Sequence, residues 1–498
     1  MWLIFLFFEK QYEKLSLLSI AANLRRGTWL ILTLHASVNR KIKDARQASK
    51  FCNSKLCQNY SQNSKINLKM FVRLLNFSFL FFVFSLPFVQ PVKFQIFSQN
   101  TQFTDLIFLF VAILFIVAIT SKKVKFQFSY FYIPLLIYLI ALILSTLFSN
   151  NPKQSFIKLA GEIYLIAICV ITFNIVRSID MLKKVGFAWF LAMIVVCSIG
   201  TMTVISFYVS PKNSLNSFSL HHYGTLPPGN YPRIQTTFYY PAMLCHYLSI
   251  GLMILFAFFE LNWISLKKFL FLLFIISITL LFTLTPGLGG VALSVGVWFF
   301  LIFKKNQKFF MARISLISGI VLAALIFLVT LVSPIQTPTS PYFVTIPVIE
   351  KRIDPSVRVL TWQSAFKTFL DYPLFGKGVG TDVASVNYLD ASGKSQYLTD
   401  AHQLWISVAA EEGIFGLLAI LAITFYFLPS VFPLTFITKQ EDVLSVGLHL
   451  AFISAFVYQG LVGSFEDARH LWVLLGLMLS VNKFKNIKNT NFSNKENL

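Results

Sequence analysis

Charge is what this sequence has least of. Only 12% of its 498 residues are Asp, Glu, Lys or Arg, against about 25% in soluble domains, and 56% are hydrophobic. That excludes a soluble globular protein and predicts an all-α integral membrane protein. Acids are the scarcer sign, 20 against 42 Lys and Arg, which leaves a formal net charge of +22. Such a balance invites a nucleic-acid reading. The basic residues, however, fall mainly in short loops and tails between apolar segments, the distribution that sets membrane orientation, so no nucleic-acid partner is expected. Cysteine is also sparse. Cys169, Cys197 and Cys245 lie in apolar segments as packing residues, and Cys52 with Cys57 has no second pair to complete a zinc site. Neither an aspartate-rich metal motif nor a Ser/His/Asp arrangement is present, so no metal or cofactor is expected. Clear internal repeats with matching midplane charges, expected of a transporter, are missing too.

What is present is a series of long apolar runs. Judged against about 20 apolar residues per crossing, twelve candidate spans stand out, at 74–89, 103–120, 128–148, 156–176, 185–207, 236–259, 266–284, 287–303, 312–332, 404–429, 443–463 and 470–482. Phenylalanine, used 55 times, suits their lipid-facing surfaces. Basic clusters follow the second span (Lys122, Lys123, Lys125), the fourth (Arg177, Lys183, Lys184), the sixth (Lys267, Lys268) and the eighth (Lys304, Lys305, Lys308), and fill the tail. With twelve crossings all of them share one side, expected to be cytoplasmic and to hold both termini. The domain plan is then a basic extension at 1–69, nine crossings in 70–332, a large extracytoplasmic loop at 333–403, three crossings in 404–482 and a cytoplasmic basic tail at 483–498. The extension is expected to precede a natural start at Met70 or to be disordered; a cytoplasmic arm on the membrane surface is the alternative.

The 333–403 loop holds the polar chemistry. Four prolines (Pro334, Pro338, Pro341, Pro347) exclude a helix at its start. Residues 356–370 carry Val359, Trp362, Phe366 and Phe369 at helical spacing, which predicts a short amphipathic helix on the membrane–water interface. His402 follows Asp400, a good helix cap, and is placed in the first turn of the tenth span. The partial positive charge there favours a proton-accepting imidazole; a polar residue simply marking the membrane boundary is the alternative. Arg358 and Arg233 are arginines on the side where that residue is less common, and their planar forks suit phosphate oxygens or headgroups. Glu412 lies inside the tenth span, where an acid is a functional candidate, alone or with Glu411 beside a polar cavity. Lys158 and Glu162, four apart, are expected to neutralise each other. Gly376, Gly378 and Gly380 lack the strand-to-helix context of a nucleotide loop and read as a tight turn or a substrate-side backbone. Arg469 and His470, with Glu466 and Asp467, line an acceptor site or are solvated loop charges.

From Met70 onward the chain resembles the bacterial O-antigen ligase and O-antigen polymerase family. The resemblance rests on Arg358 with Trp362, the run Pro-Leu-Phe-Gly-Lys-Gly at 373–378, His402 closing the loop, Glu412-Gly413 and Gly416, and the segment from Arg233 to Pro241. The chain departs from the family twice. Ala242 follows Pro241 where the family has asparagine, and the run Thr-Leu-Thr-Pro-Gly-Leu-Gly-Gly at 283–290 lacks the arginine usual there. The resemblance implies a polytopic glycosyltransferase of the bacterial inner membrane. Its donor is a glycan on undecaprenyl pyrophosphate and its acceptor a glycolipid (lipid A-core) or other hydroxyl. Transfer is metal-independent and inverting, with His402 as general base and Arg358 and Arg233 on the pyrophosphate. Polymerase and protein O-oligosaccharyltransferase activities share the signature, and a polysaccharide flippase is the rival from another class.

Overall fold

The computed structural model describes residues 55–90, 93–96, 99–210, 218–220, 231–332, 344–346, 351–353, 355–389, 395–428, 440–463 and 468–496. Residues 1–54, with most of the N-terminal extension, and Glu466 and Asp467 lie outside this set. The chain divides into two compact units, residues 1–74 and 75–498, and the site lies in the second.

Apolar runs in lipid must satisfy their own backbone groups, so they become helices. In order these are α1 (Lys55–Ser85), α2 (Phe103–Thr120), α3 (Tyr132–Leu147), α4 (Pro152–Ile175), α5 (Ile179–Val209), α6 (Pro241–Glu260), α7 (Leu266–Thr283), α8 (Leu288–Lys305), α9 (Phe309–Leu331), α10 (Val357–Asp371) and α11 (Leu404–Phe427). Then come α12 (Gln440–Phe452), a π-helical turn (Ile453–Tyr458), α13 (Gln459–Val462) and α14 (Arg469–Glu496). Among the described residues nine helical segments are long and apolar enough to cross a bilayer, and the protein is a multi-pass membrane protein. Of the other expected spans, two are apolar but shorter (Met70–Ser85 and Tyr132–Leu147), and 470–482 is the first half of α14, whose second half is polar. In α6, 83% of the apolar window is buried, against 11% in α9. The first is therefore the central helix and the second faces lipid.

Junction contacts sort into two ends. At one, Thr104 Oγ1 donates to the Ser85 carbonyl, Thr237 Oγ1 to the Pro87 carbonyl and Ser356 N to the Leu331 carbonyl, while Asn150 N donates to Lys377 O. At the other, Lys305 pairs with Glu260, Lys485 with Asp442, and Lys483 Nζ donates to Gln127 Oε1. The basic clusters read from the sequence thus gather at one end and the large loop at the opposite one.

Besides the short helix expected in the large loop, the connecting segments carry strands. Three antiparallel hairpins occur: β1 (Lys93–Ile96) with β2 (Gln99–Gln102), β3 (Val344–Ile346) with β4 (Lys351–Ile353), and β5 (Val386–Leu389) with β6 (Ser395–Leu398). Strands of three or four residues are too short to leave a clear alternation in sequence. The expected amphipathic helix forms within one residue of its forecast bounds as α10. Thr361 and Ala365 are buried, whereas Phe366 and Leu370 are exposed. The small side chains let α10 approach α11, where Ala365 clusters with Val383, Ala401 and Ala410.

Candidate functional site

The run at 373–380 is positioned by a broken helix. Within α11, Gly413 adopts φ 69° and ψ −162°, a conformation essentially reserved for glycine. The break frees backbone groups that the helix would otherwise pair internally. Ile414 N donates to the Pro373 carbonyl at 2.9 Å, Lys377 N to Ala410 O at 2.9 Å and Gly378 N to Glu411 O at 3.0 Å. Glu411 Oε2 accepts Gly380 N at 2.5 Å, and Ser145 Oγ donates to Glu411 O at 2.7 Å. Loop and helix interlock closely. A Cβ on Gly413 would meet the Leu374 carbonyl, and one on Gly376 (φ 72°) would meet the Glu411 backbone. The three loop glycines therefore serve a tight turn. Gly378 (φ 125°) packs on Ser149 and Gly380 (φ 72°) on Lys158. Glu411 and Glu412 are both buried, the first engaged with this loop and the second packed against Gly416. Lys158 Nζ lies 3.8 Å from Glu162 Oε1, as their spacing predicts.

His402 lies just outside α11. The expected placement in the first helical turn, capped by Asp400, is corrected: Gln403 is the cap, its Oε1 accepting Ile406 N at 3.0 Å. His402 instead has φ +50°, in the left-handed region. Asp400 holds it there. Asp400 Oδ1 accepts the His402 backbone N–H at 3.1 Å and the Ser407 hydroxyl at 3.3 Å, while Oδ2 sits 2.9 Å from His402 Nδ1. A carboxylate only accepts, so Nδ1 carries a proton and Nε2 is the nitrogen able to take one. The imidazole is oriented by a carboxylate rather than by a helix dipole. Its side chain is 40% exposed, so a substrate can reach it.

Arg358, on the first turn of α10, is drawn to the same place. Thr361 Oγ1 donates to Arg358 O at 2.8 Å and approaches Ala401 O at 3.3 Å, stapling this turn beside His402. The Arg358 guanidinium donates through Nη1 to the Val462 carbonyl at the end of α13. Burial pushes its pKa down to about 10, against the pull of the nearby Asp400 carboxylate. Arg233 donates through Nε to Thr283 O at 3.2 Å, at the start of the 283–290 run. Burial lowers it to about 10 as well, assisted by the positive charge of Arg358 and opposed by Tyr231. Both guanidinium groups stay cationic at neutral pH. The structure thus brings Arg233, Arg358, Asp400 and His402 together at the large-loop end. Trp362 lies alongside, its ring stacked 6.5 Å from Phe327.

Arg469 and His470 do not join them as solvated groups. Arg469 grips Asp105 with two nitrogens, at 2.8 and 3.1 Å, and Tyr164 OH donates to the same carboxylate at 2.8 Å. Breaking such a pair strands a partly buried charge. Asp105→Asn is expected to cost about 3 kcal/mol, read as a lower thermal midpoint in detergent, with the Asp105→Asn/Arg469→Gln double variant losing less. His470 is buried, with Nε2 at 2.6 Å from His246 Nδ1, and His246 Nε2 lies 2.5 Å from Ala455 O in the π-helical turn. A carbonyl only accepts, so His246 donates to Ala455 and accepts from His470. Sequence reasoning missed His246, Thr361 and Ser407. A lone histidine in an apolar run was the one available signal for the first.

Among curated proteins none matches this chain. Residues 246–421, from the central helix through the broken one and including Arg358, Asp400 and His402, match the family model described as O-antigen ligase. That match covers about a third of the chain and supports its placement with the O-antigen ligase family.

Proposed function

We propose that the protein is an O-antigen ligase-like glycosyltransferase that moves a glycan from undecaprenyl pyrophosphate to an acceptor hydroxyl, of lipid A-core type, at the outer face of the bacterial inner membrane. The observation that carries this reading is the convergence of a carboxylate-held imidazole with two partly buried guanidinium groups. His402 Nε2 takes the proton of the acceptor hydroxyl. The hydroxyl oxygen attacks the anomeric carbon and the bond to the lipid pyrophosphate breaks, inverting that centre. The departing pyrophosphate gains charge, which Arg358 and Arg233 stabilise in a setting where burial strengthens electrostatics. Arg233, held at Thr283, supplies the cation that the 283–290 run lacks. Glu411 and Glu412 support the loop from below, and the polyprenyl tail lies along the exposed apolar helix faces. With twelve crossings, the basic end and both termini are cytoplasmic.

Surface-glycan analysis of a strain lacking the protein tests this. The reading predicts full-length glycan retained on its lipid carrier. Attachment of single repeats would identify a polymerase, and unused precursor on the cytoplasmic side would identify a flippase. In the intact strain Arg358→Lys is expected to lower transfer about 100-fold, because a point charge cannot reproduce the planar fork. Wild-type glycan levels in that variant would remove Arg358 from the site.

A further inference from the structure

The end opposite the large loop carries a second cluster of cations that transfer chemistry does not use. The 121–131 connection between α2 and α3 is pinned there by neutral groups. Asn174 Oδ1 accepts Gln127 N at 2.7 Å, Arg177 donates to Asn174 O at 2.6 Å and also to the Lys125 carbonyl, and Lys483 Nζ donates to Gln127 Oε1 at 2.6 Å. These bonds bring the side chains of Arg177 and Lys483 and the backbone of Lys125, whose own side chain is exposed, to one spot on three different segments. Among the described residues none of the three makes an ion pair with a carboxylate, whereas Lys305 and Lys485 at the same end do. The Lys483 ammonium also lies 5.7 Å from the Phe173 ring centre. Partial burial, and then the charge of Arg177, lower its pKa from the ordinary value. Like charges held together in a partly desolvated place repel unless an anion joins them.

The surroundings identify the anion. Phe126, Phe128 and Tyr130 alternate along the same connection and are all exposed, as aromatic residues are at headgroup depth. Beyond them, Ile116 and Val117 of α2 and Ile133 and Leu136 of α3 present exposed apolar surface to the bilayer. A ligand lying here meets cations at one end and hydrocarbon at the other. We infer that Arg177, Lys483 and Lys125 form a binding site for the phosphate headgroup of an anionic glycerophospholipid, whose acyl chains run along α2 and α3. Basic pockets between membrane helices are suited to this. The inference rests on the membrane character of the chain and is independent of the transfer reaction.

Native mass spectrometry of the full-length chain in detergent, titrated with phosphatidylglycerol or phosphatidylethanolamine, tests it. Phosphatidylglycerol should bind more tightly than phosphatidylethanolamine. The Arg177→Gln/Lys483→Gln variant should lose about 30-fold in that affinity, at about 1 kcal/mol per basic residue. Lys125→Gln changes only an exposed side chain and leaves the pinning bonds intact, so it should lose about five-fold without disturbing the fold. Arg177→Lys/Lys483→Arg should retain the preference. Equal affinity for the two lipids, or wild-type affinity in Lys125→Gln and the double glutamine variant, would overturn the site. So would full competition by glycerol 3-phosphate, which would show a soluble phosphate to be the ligand.

Discussion

Replacing His402 with alanine should abolish glycan attachment in cells, a loss of about 10²–10⁴-fold in transfer from removal of the general base alone. The protein should still insert and fold. His402 lies outside α11, and its side chain contributes to the structure through Asp400, which keeps its backbone and Ser407 contacts. Transfer at normal levels in a correctly inserted variant would remove His402 as the base. Asp400→Asn sharpens the test. An amide can hold either imidazole tautomer, so part of the population presents a protonated Nε2 that cannot accept. Transfer should fall while binding of the lipid-linked donor persists. If donor binding fell in step with turnover, Asp400 would act through Arg358, whose charge it also faces.

The second large effect is expected at Gly413. Alanine there must adopt φ 69°, ψ −162° and place its Cβ against the Leu374 carbonyl and 2.6 Å from Phe375 N. Strain and overpacking together should cost about 4 kcal/mol. The variant should yield little folded protein and unfold at markedly lower temperature in detergent. Gly161, which has open space around its Cβ position, serves as the control, and Gly161→Ala should be near neutral. Comparable behaviour of the two variants would mean that the interlock at 373–380 does not hold the fold. The functional consequence follows from chain order. The loop lies between the helix carrying Arg358 and the Asp400–His402 pair, so losing its seat would let both drift.

Local features of this architecture were legible in the sequence. The runs at 103–120, 266–284 and 404–429 became helices within two residues of their expected ends, because an apolar run of that length has few other options in lipid. The periodicity at 356–370 located α10. Which face of α10 packs was not legible, since that depends on Ala401 and Ala410, which lie 36 and 45 residues beyond Ala365. The same holds for Arg469, whose partner Asp105 lies far back along the chain, and for His470, whose partner is His246. The glycines at 376, 378 and 380 announced unusual backbone, but the helix they dock on is revealed only by folding. The cap at His402 was misjudged because Asp400 and Gln403 are both competent, and nothing local favours the one three residues nearer the helix.

The wide turn at Ile453–Tyr458 has a bearing on the guanidinium of Arg358. A π-helical turn amounts to one surplus residue spliced into an otherwise regular coil. Rewinding it as ordinary α-helix with no residue removed would rotate everything downstream by about 100°. The Val462 oxygen that anchors Arg358 would then point elsewhere. The azimuth of the Arg358 fork is in this sense counted out, residue by residue, in a neighbouring helix.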